Sequence, residues 1–271
     1  MPPQPLAGRV ALVAGASRSL ERGIAIEVGA AGAFVYLLGR TLSPGSGTGS
    51  LVETLEQVEA LGGRGATIAC DCRDDDALAA SLAHVRRTHG RLDILVNSVF
   101  AASRFAASIG KRFWETPTTL WEEVVDLGVR SAYLASCRAA PLLIETAQRT
   151  GQPTAIFNIS GRGAARYRYN VAYGVGKAAT DRLTRDTAID LRESNVAVIS
   201  LWPNGAAANP ERPETPRYTG RAVAALAADP VIMDRSGQPF WSAQIGADYG
   251  FTDEAGHPHE VPVLEDYLGR P

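Results

Sequence analysis

The sequence predicts an α/β protein: one doubly wound parallel sheet flanked by helices. Three observations carry this expectation. Short apolar runs alternate with longer segments that place apolar residues at helical spacing. The runs are apolar on both sides, as strands covered twice must be. With 271 residues, 45% of them hydrophobic, the chain can bury one sizeable core, and it shows no repeat or linker that would divide it.

The elements follow in order. "RVALVAG" reads as the first strand, followed by a helix over 22–31 and the strand "AFVYLLGR". A Gly/Ser/Pro turn leads to a helix over 51–61, the strand "GATIACD" and a helix over 75–89 carrying Leu78, Leu82 and Val85 on one face. "LDILVNS" is the next strand, residues 118–145 a long helix, "TAIFNIS" a strand, and 171–193 another long helix. "VAVISLWPN" closes the regular series. Residues 203–219, rich in Pro, Asn and Ala, read as a loop over the carboxyl ends of the strands, where open α/β sheets bind ligands. A helix over 220–229, a last strand "QPFWSAQIG" and a polar tail over 250–271 complete a single domain spanning 1–271.

A net charge of −2 argues against a nucleic-acid binder or a basic membrane-surface protein. Three cysteines, Cys70, Cys72 and Cys137, fit a reduced cytoplasm better than a disulfide framework. Cys70 and Cys72 alternate at a strand end and read as half-buried structural residues. The histidines make no zinc pattern, so no metal is expected, and His257 and His259 in the polar tail read as solvated. No signal-peptide plan and no stretch of membrane-spanning length is evident, so the expectation is a cytoplasmic protein.

"AGASRSLERGIA", residues 14–25, lies between the first strand and its helix, where nucleotide-binding folds place their phosphate loop. Later in the chain, Ser160 ends a strand, and Tyr173 and Lys177 follow four residues apart on a helix. That spacing stacks the two side chains on one face. An ammonium there favours phenolate, which moves the tyrosine pKa from about 10 toward a range useful for proton transfer. Ser160 is placed to bind the same substrate oxygen.

With "YGVGKAA", "RLDILVN", "FWETP", "SLWPN" and "AADPVIMDRSGQ", the chain resembles the short-chain dehydrogenase/reductase family over nearly its whole length, nearest one of its mammalian branches. The resemblance implies a single Rossmann-like domain assembled as a homodimer or homotetramer. It implies Tyr173 as the general acid/base, Lys177 as the residue that lowers its pKa and holds the nicotinamide ribose, and Ser160 as the group orienting a small-molecule carbonyl. Gly15, Ser17, Arg18, Ser19 and Leu20 match the cofactor loop. Asp71 and Cys72 match the adenine contact, Asn97 the first Asn of an "NNAG" motif, and Pro203 the start of a "PGxxxT" segment. NAD-preferring members end the second strand on an acid, whereas here "LLGRT" offers Arg40, with Arg18 nearby. Two guanidiniums make a phosphate clamp, which implies NADP(H) ahead of NAD(H).

The sequence also departs from the family pattern. Ser19 and Glu21 stand where loop glycines are expected, "NNAG" has become "NSVF" with Phe100 in place of glycine, and Gly128 replaces the helix asparagine. Asn204 and Ala208 replace the glycine and threonine of "PGxxxT". Glu21 is the serious change, because a carboxylate and a pyrophosphate compete for one helix N-terminus. Two readings stay open at this point. One is an NADP(H)-dependent oxidoreductase interconverting a carbonyl and a secondary alcohol on an apolar or aromatic molecule, with Phe105, Phe113, Trp114, Tyr167 and Tyr169 as candidate walls. The other is an enzyme without nicotinamide that uses Tyr173, Lys177 and Ser160 for a dehydration, isomerisation or cyclisation.

Overall fold

A computed structural model describes residues 4–45, 49–100, 105–204 and 214–263. Seven strands form one sheet in the order β3-β2-β1-β4-β5-β6-β7, every neighbouring pair parallel. They are β1 Val10–Ala14, β2 Phe34–Gly39, β3 Arg64–Ala69, β4 Ile94–Asn97, β5 Thr154–Ile159, β6 Val196–Trp202 and β7 Pro239–Trp241. The order reverses between β1 and β4, where Val13 pairs with Leu37 on one side and Val96 on the other. A crevice opens at the carboxyl ends of strands where such a reversal occurs.

The helices are α1 Ser19–Ala30, α2 Leu51–Ala60, α3 Asp75–His89, α4 Ser131–Thr150, α5 Val171–Leu191, α6 Pro216–Ala228 and α7 Ser242–Tyr249. They cover both faces and bury two apolar layers. One holds Val13, Val35, Val96, Phe157 and Ile199 with α1 and α6; the other holds Leu12, Leu38, Leu95, Ile156 and Val198 with α3 and α4. The alternation within each strand sends successive side chains to opposite layers. Local chemistry fixes the helix starts: Ser50 and Glu53 form a capping box on α2, Asp74 caps α3, and Asn170 caps α5 by accepting from the Tyr173 N–H at 2.9 Å.

Several boundaries differ from the sequence expectation. The loop over 203–219 ends early, because the Thr215 side chain caps α6 and Pro216 occupies its first position. The long helix over 118–145 is instead a single turn at Thr119–Trp121, a π-helical stretch Glu122–Arg130, and α4 running on to Thr150. The last strand is only Pro239–Trp241. Beyond it Ser242, Ala243, Ile245 and Gly246 are buried at helical spacing, in α7. The tail is only partly solvated. The His257 side chain is half exposed, but that of His259 is buried, its ring 4.5 Å from that of Tyr218 and its Nε2 3.3 Å from an Asp253 carboxylate oxygen. Residues 264–271 lie outside the described residues, as does Ala208. Among the described residues no helix is long and apolar enough to cross a membrane.

Candidate active site

The first loop is built around Gly15, whose φ of +90° is a conformation that side chains resist. Its N–H and that of Ala16 both donate to the Leu38 carbonyl, which pins the loop to the end of β2. Ser19 adopts φ +53°, so the chain keeps a glycine-like backbone there with a serine in place, a left-handed conformation that costs about 1–2 kcal/mol. A cleft at the strand ends is lined by Gly15, Ser17, Arg18, Glu21, Arg40, Asp71, Cys72, Ser98 and Phe100. Most of the expected cofactor residues therefore meet at one place.

The remaining expected residues sit elsewhere. Leu20 packs against the α1–α6 core, Ser19 is exposed, and Pro203 is half-buried at the end of β6. Asn97 is buried and donates to Asn158 Oδ1 at 2.9 Å and Ser136 Oγ at 3.0 Å, while lining a small neighbouring cavity with Lys177. Asp71 is bound by the Arg73 guanidinium at 2.5–3.1 Å, which holds its carboxyl below the usual range. Cys70 and Cys72 are fully buried rather than half-buried, and the hydrogen bond from Cys72 lowers the Cys70 thiol to about 7.

Glu21 turns into the cleft. Its Oε1 accepts from Ser98 Oγ at 3.0 Å, its carboxylate accepts from its own N–H, and Lys177 and Arg18 are the cations that face it. Burial nevertheless pushes this carboxyl up to about 7.

Tyr173 and Lys177 share a face of α5 as expected, but they do not act on each other as expected. Lys177 Nζ donates to the Ile159 carbonyl at 3.0 Å and lies 5.2 Å from the Phe100 ring centre, against 5.8 Å for the Tyr173 ring. Burial lowers Lys177 to about 8, with Asp181 and Glu21 opposing the fall. The Tyr173 phenol is raised, not lowered, by burial and then by Tyr169; the charges that pull it down are Arg162 and Arg168. The hydroxyl of Ser160 is taken by the Lys177 carbonyl, 3.1 Å away, and by Asp181.

Asp181 is the residue that sequence reasoning missed. It is buried on α5 and accepts from Ser200 Oγ at 2.7 Å and Trp202 Nε1 at 3.3 Å as well as from Ser160. The signal was present: it stands four residues after Lys177, on the face already chosen. Of the expected aromatic walls, Phe105 and Tyr169 pack on Tyr173 with ring centres 5.1 and 5.2 Å away, whereas Phe113, Trp114 and Tyr167 are exposed. A Cβ on Gly128 would meet nothing closer than the Val99 carbonyl at 3.8 Å, so this glycine leaves open room.

Chain comparison decides the family. The family model for short chain dehydrogenase matches residues 9–217. The chain belongs to the short-chain dehydrogenase/reductase family. Dehydrogenase/reductase SDR family member 1 of Mus musculus is 34% identical over 289 aligned positions, covering 97% of this chain and 87% of that protein. Its Homo sapiens counterpart matches to the same extent. Among solved structures, a metagenomic short-chain oxidoreductase in complex with NADP is 28% identical, with a TM-score of 0.68 over 83% of this chain and 92% of that one. A short chain dehydrogenase from Mycobacterium thermoresistibile shares the fold at 23% identity, with a TM-score of 0.78 over 98% of each chain. As a short-chain dehydrogenase/reductase, the chain is an oxidoreductase acting on small molecules.

Within this family member, two glycines make room for the tyrosine. A Cβ on Gly161 would lie 2.8 Å from the Tyr173 hydroxyl, and one on Gly163 would overlap Tyr173 Cε1. Gly163→Ala is therefore expected to displace the ring, cutting turnover at least about tenfold for a misplacement of roughly 1 Å. Thermal unfolding should fall only slightly. Wild-type turnover in the variant would show that the ring does not need this seat.

Proposed function

We propose that the chain is an NADP(H)-dependent reductase or dehydrogenase interconverting a carbonyl and a secondary alcohol on a largely apolar or aromatic small molecule. One observation carries the cofactor reading: Arg40, and no acid, follows the end of β2 at Gly39, and Arg40 lines the same cleft as Gly15 and Arg18. The residues present fit a nicotinamide dinucleotide phosphate. Gly15 carries no Cβ toward the Ser98 carbonyl, and the N-cap, Arg18, gives the first-turn amides of α1 no side-chain bond, while Glu21 is a side chain with which a diphosphate would share that space. Arg18 and Arg40 would hold the 2′-phosphate, and Lys177 the ribose.

A nicotinamide held there would supply or accept the hydride. The rest is the work of the chain's own residues. Tyr173 carries its proton at neutral pH and passes it to the substrate oxygen as charge develops there. Arg162 and Arg168 are the charges that ease its loss. Ser160, once turned from the Lys177 carbonyl, donates to the same oxygen. Phe105 and Tyr169 beside the phenol support an apolar or aromatic substrate. Exposed Trp121, Tyr133, Val175 and Ile189 support a homodimer or homotetramer, three free cysteines support a cytoplasmic protein, and one continuous seven-stranded sheet supports a single domain.

The second reading, a redox-neutral proton transfer without nicotinamide, is favoured by Glu21 in the cleft and Phe100 beside Lys177. Titration separates the two. NADPH is expected to bind more tightly than NADH. Arg40→Ala should weaken NADPH by about 10- to 100-fold, the range of a charge-assisted phosphate contact, and leave NADH within about twofold. An equal effect on both cofactors would remove Arg40 from the 2′-phosphate.

A further inference from the structure

Glu21 is a half-buried titratable group, turned into the cleft, that the proposed reaction does not use. It lies in the first turn of α1, where backbone N–H groups and the helix dipole hold an anion. Its own carboxylate occupies that position, accepting from its backbone N–H and from Ser98 Oγ at 3.0 Å. It also fills the open space beside Gly15, where a Cβ would meet Glu21 Cγ at 3.4 Å. The chain thus supplies from within the negative charge that a cofactor diphosphate would bring.

We propose that Glu21 is a built-in occupant of the phosphate cradle, so that dinucleotide binding is coupled to the uptake of one proton by its carboxyl. This rests on the reading that the cleft holds NADP(H). An ionised Glu21 repels a diphosphate at contact distance, whereas a protonated one donates a hydrogen bond to a phosphate oxygen. The balance is one proton taken from solvent per cofactor bound, landing on the Glu21 carboxyl. Burial already places this group at about 7 in the free protein, and an added anion raises it further.

Other charges face the same space. Lys177 approaches from α5 and Arg18 from the loop before α1. Across the cleft stand Arg40 at the end of β2 and Cys70, Asp71 and Cys72 after β3. Arg22, on α1 itself, is committed to Thr54, the Ser17 carbonyl and Glu53. A variant that changes Glu21 alone keeps every one of these groups, and the titration it moves is that of Lys177, which loses an opposing carboxylate and titrates lower; the proton count at pH 8 separates that shift from uptake by Glu21 itself.

The test is NADPH affinity by nicotinamide fluorescence from pH 6.5 to 8.5, in the wild type and in Glu21→Gln and Glu21→Gly. Calorimetry at pH 8 in two buffers of different ionisation enthalpy then counts protons. Relative to Glu21→Gln, wild-type affinity is expected to fall about 25-fold across this range, as one linked proton with a free-protein pKa near 7 requires. Calorimetry should find about one proton taken up by the wild type and none attributable to this site in either variant. Parallel pH profiles with equal proton counts would overturn the proposal, showing that Glu21 swings to solvent still ionised, and would leave the NADP(H) reading standing. Absence of NADPH binding in all three proteins at every pH would overturn both.

Discussion

Tyr173→Phe is expected to lower kcat by about 10²- to 10⁴-fold, the usual contribution of a positioned general acid, while thermal unfolding stays within a degree or two. The stability half follows from packing. The ring is held by Phe105, Tyr169 and Phe100 at centre distances of 5.1, 5.2 and 6.3 Å, and phenylalanine keeps all three contacts. The catalytic half follows from the hydroxyl, which stands at the head of α5 and to which the proposed function assigns delivery of a proton to the substrate oxygen. Because burial raises the phenol above 10, Tyr173 is proton-loaded throughout the neutral range. That suits delivery of a proton, hence carbonyl reduction. Alcohol oxidation needs the proton removed first, so its rate should climb as pH rises well past neutrality. Turnover of a carbonyl substrate found by screening, measured beside melting temperature, checks both halves. Near-normal activity in the variant would remove Tyr173 from the chemistry.

Gly23→Val is expected to be the most damaging substitution for stability. A Cβ on Gly23 would overlap the Pro216 carbonyl group, and one on Gly220 would lie 2.5 Å from the Gly23 carbonyl oxygen. Helices α1 and α6 therefore touch backbone to backbone at these two glycines. No rotamer relieves such a clash, so one helix must move. Forced overpacking of this kind costs about 1–3 kcal/mol and sometimes more. With a shift of about 2–4 °C per kcal/mol in a chain of this size, a fall of about 2–12 °C in Tm follows. Helix α1 also carries Arg18 and Glu21 at its start, so its displacement should weaken NADPH binding as well. A Gly23→Val variant that melts and binds like the wild type would contradict the close crossing.

Much of the fold was legible because each strand is a short apolar run bounded by turn chemistry, and the Tyr173–Lys177 spacing names a helix face. What stayed hidden depends on tertiary contacts. The segment after Trp241 has strand-like composition, but its buried residues Ser242, Ala243, Ile245 and Gly246 fall at helical spacing, and Gly246 lies directly against the Tyr218 side chain. His259 looks solvated in a polar tail, yet Asp253 and Tyr218 bury its ring. In the site, spacing gave the shared face of Tyr173 and Lys177 but not the direction of the ammonium. The Ile159 carbonyl and the Phe100 ring decide that, and both come from other strands' ends. Asp181 was silent for the same reason. Its partners Ser200 and Trp202 belong to β6, roughly twenty residues further along the chain.

The altered loop is expected to hold a nicotinamide dinucleotide despite Glu21. Titration of the wild-type protein with NADPH and with NADH at pH 6.5, followed by nicotinamide fluorescence, tests it most directly. Saturable binding of NADPH, tighter than NADH, is the result expected from Gly15, Arg18 and Arg40 at one cleft. No binding of either cofactor, in the wild type and in Glu21→Gly alike, would contradict it and move the chemistry of Tyr173 to a redox-neutral reaction.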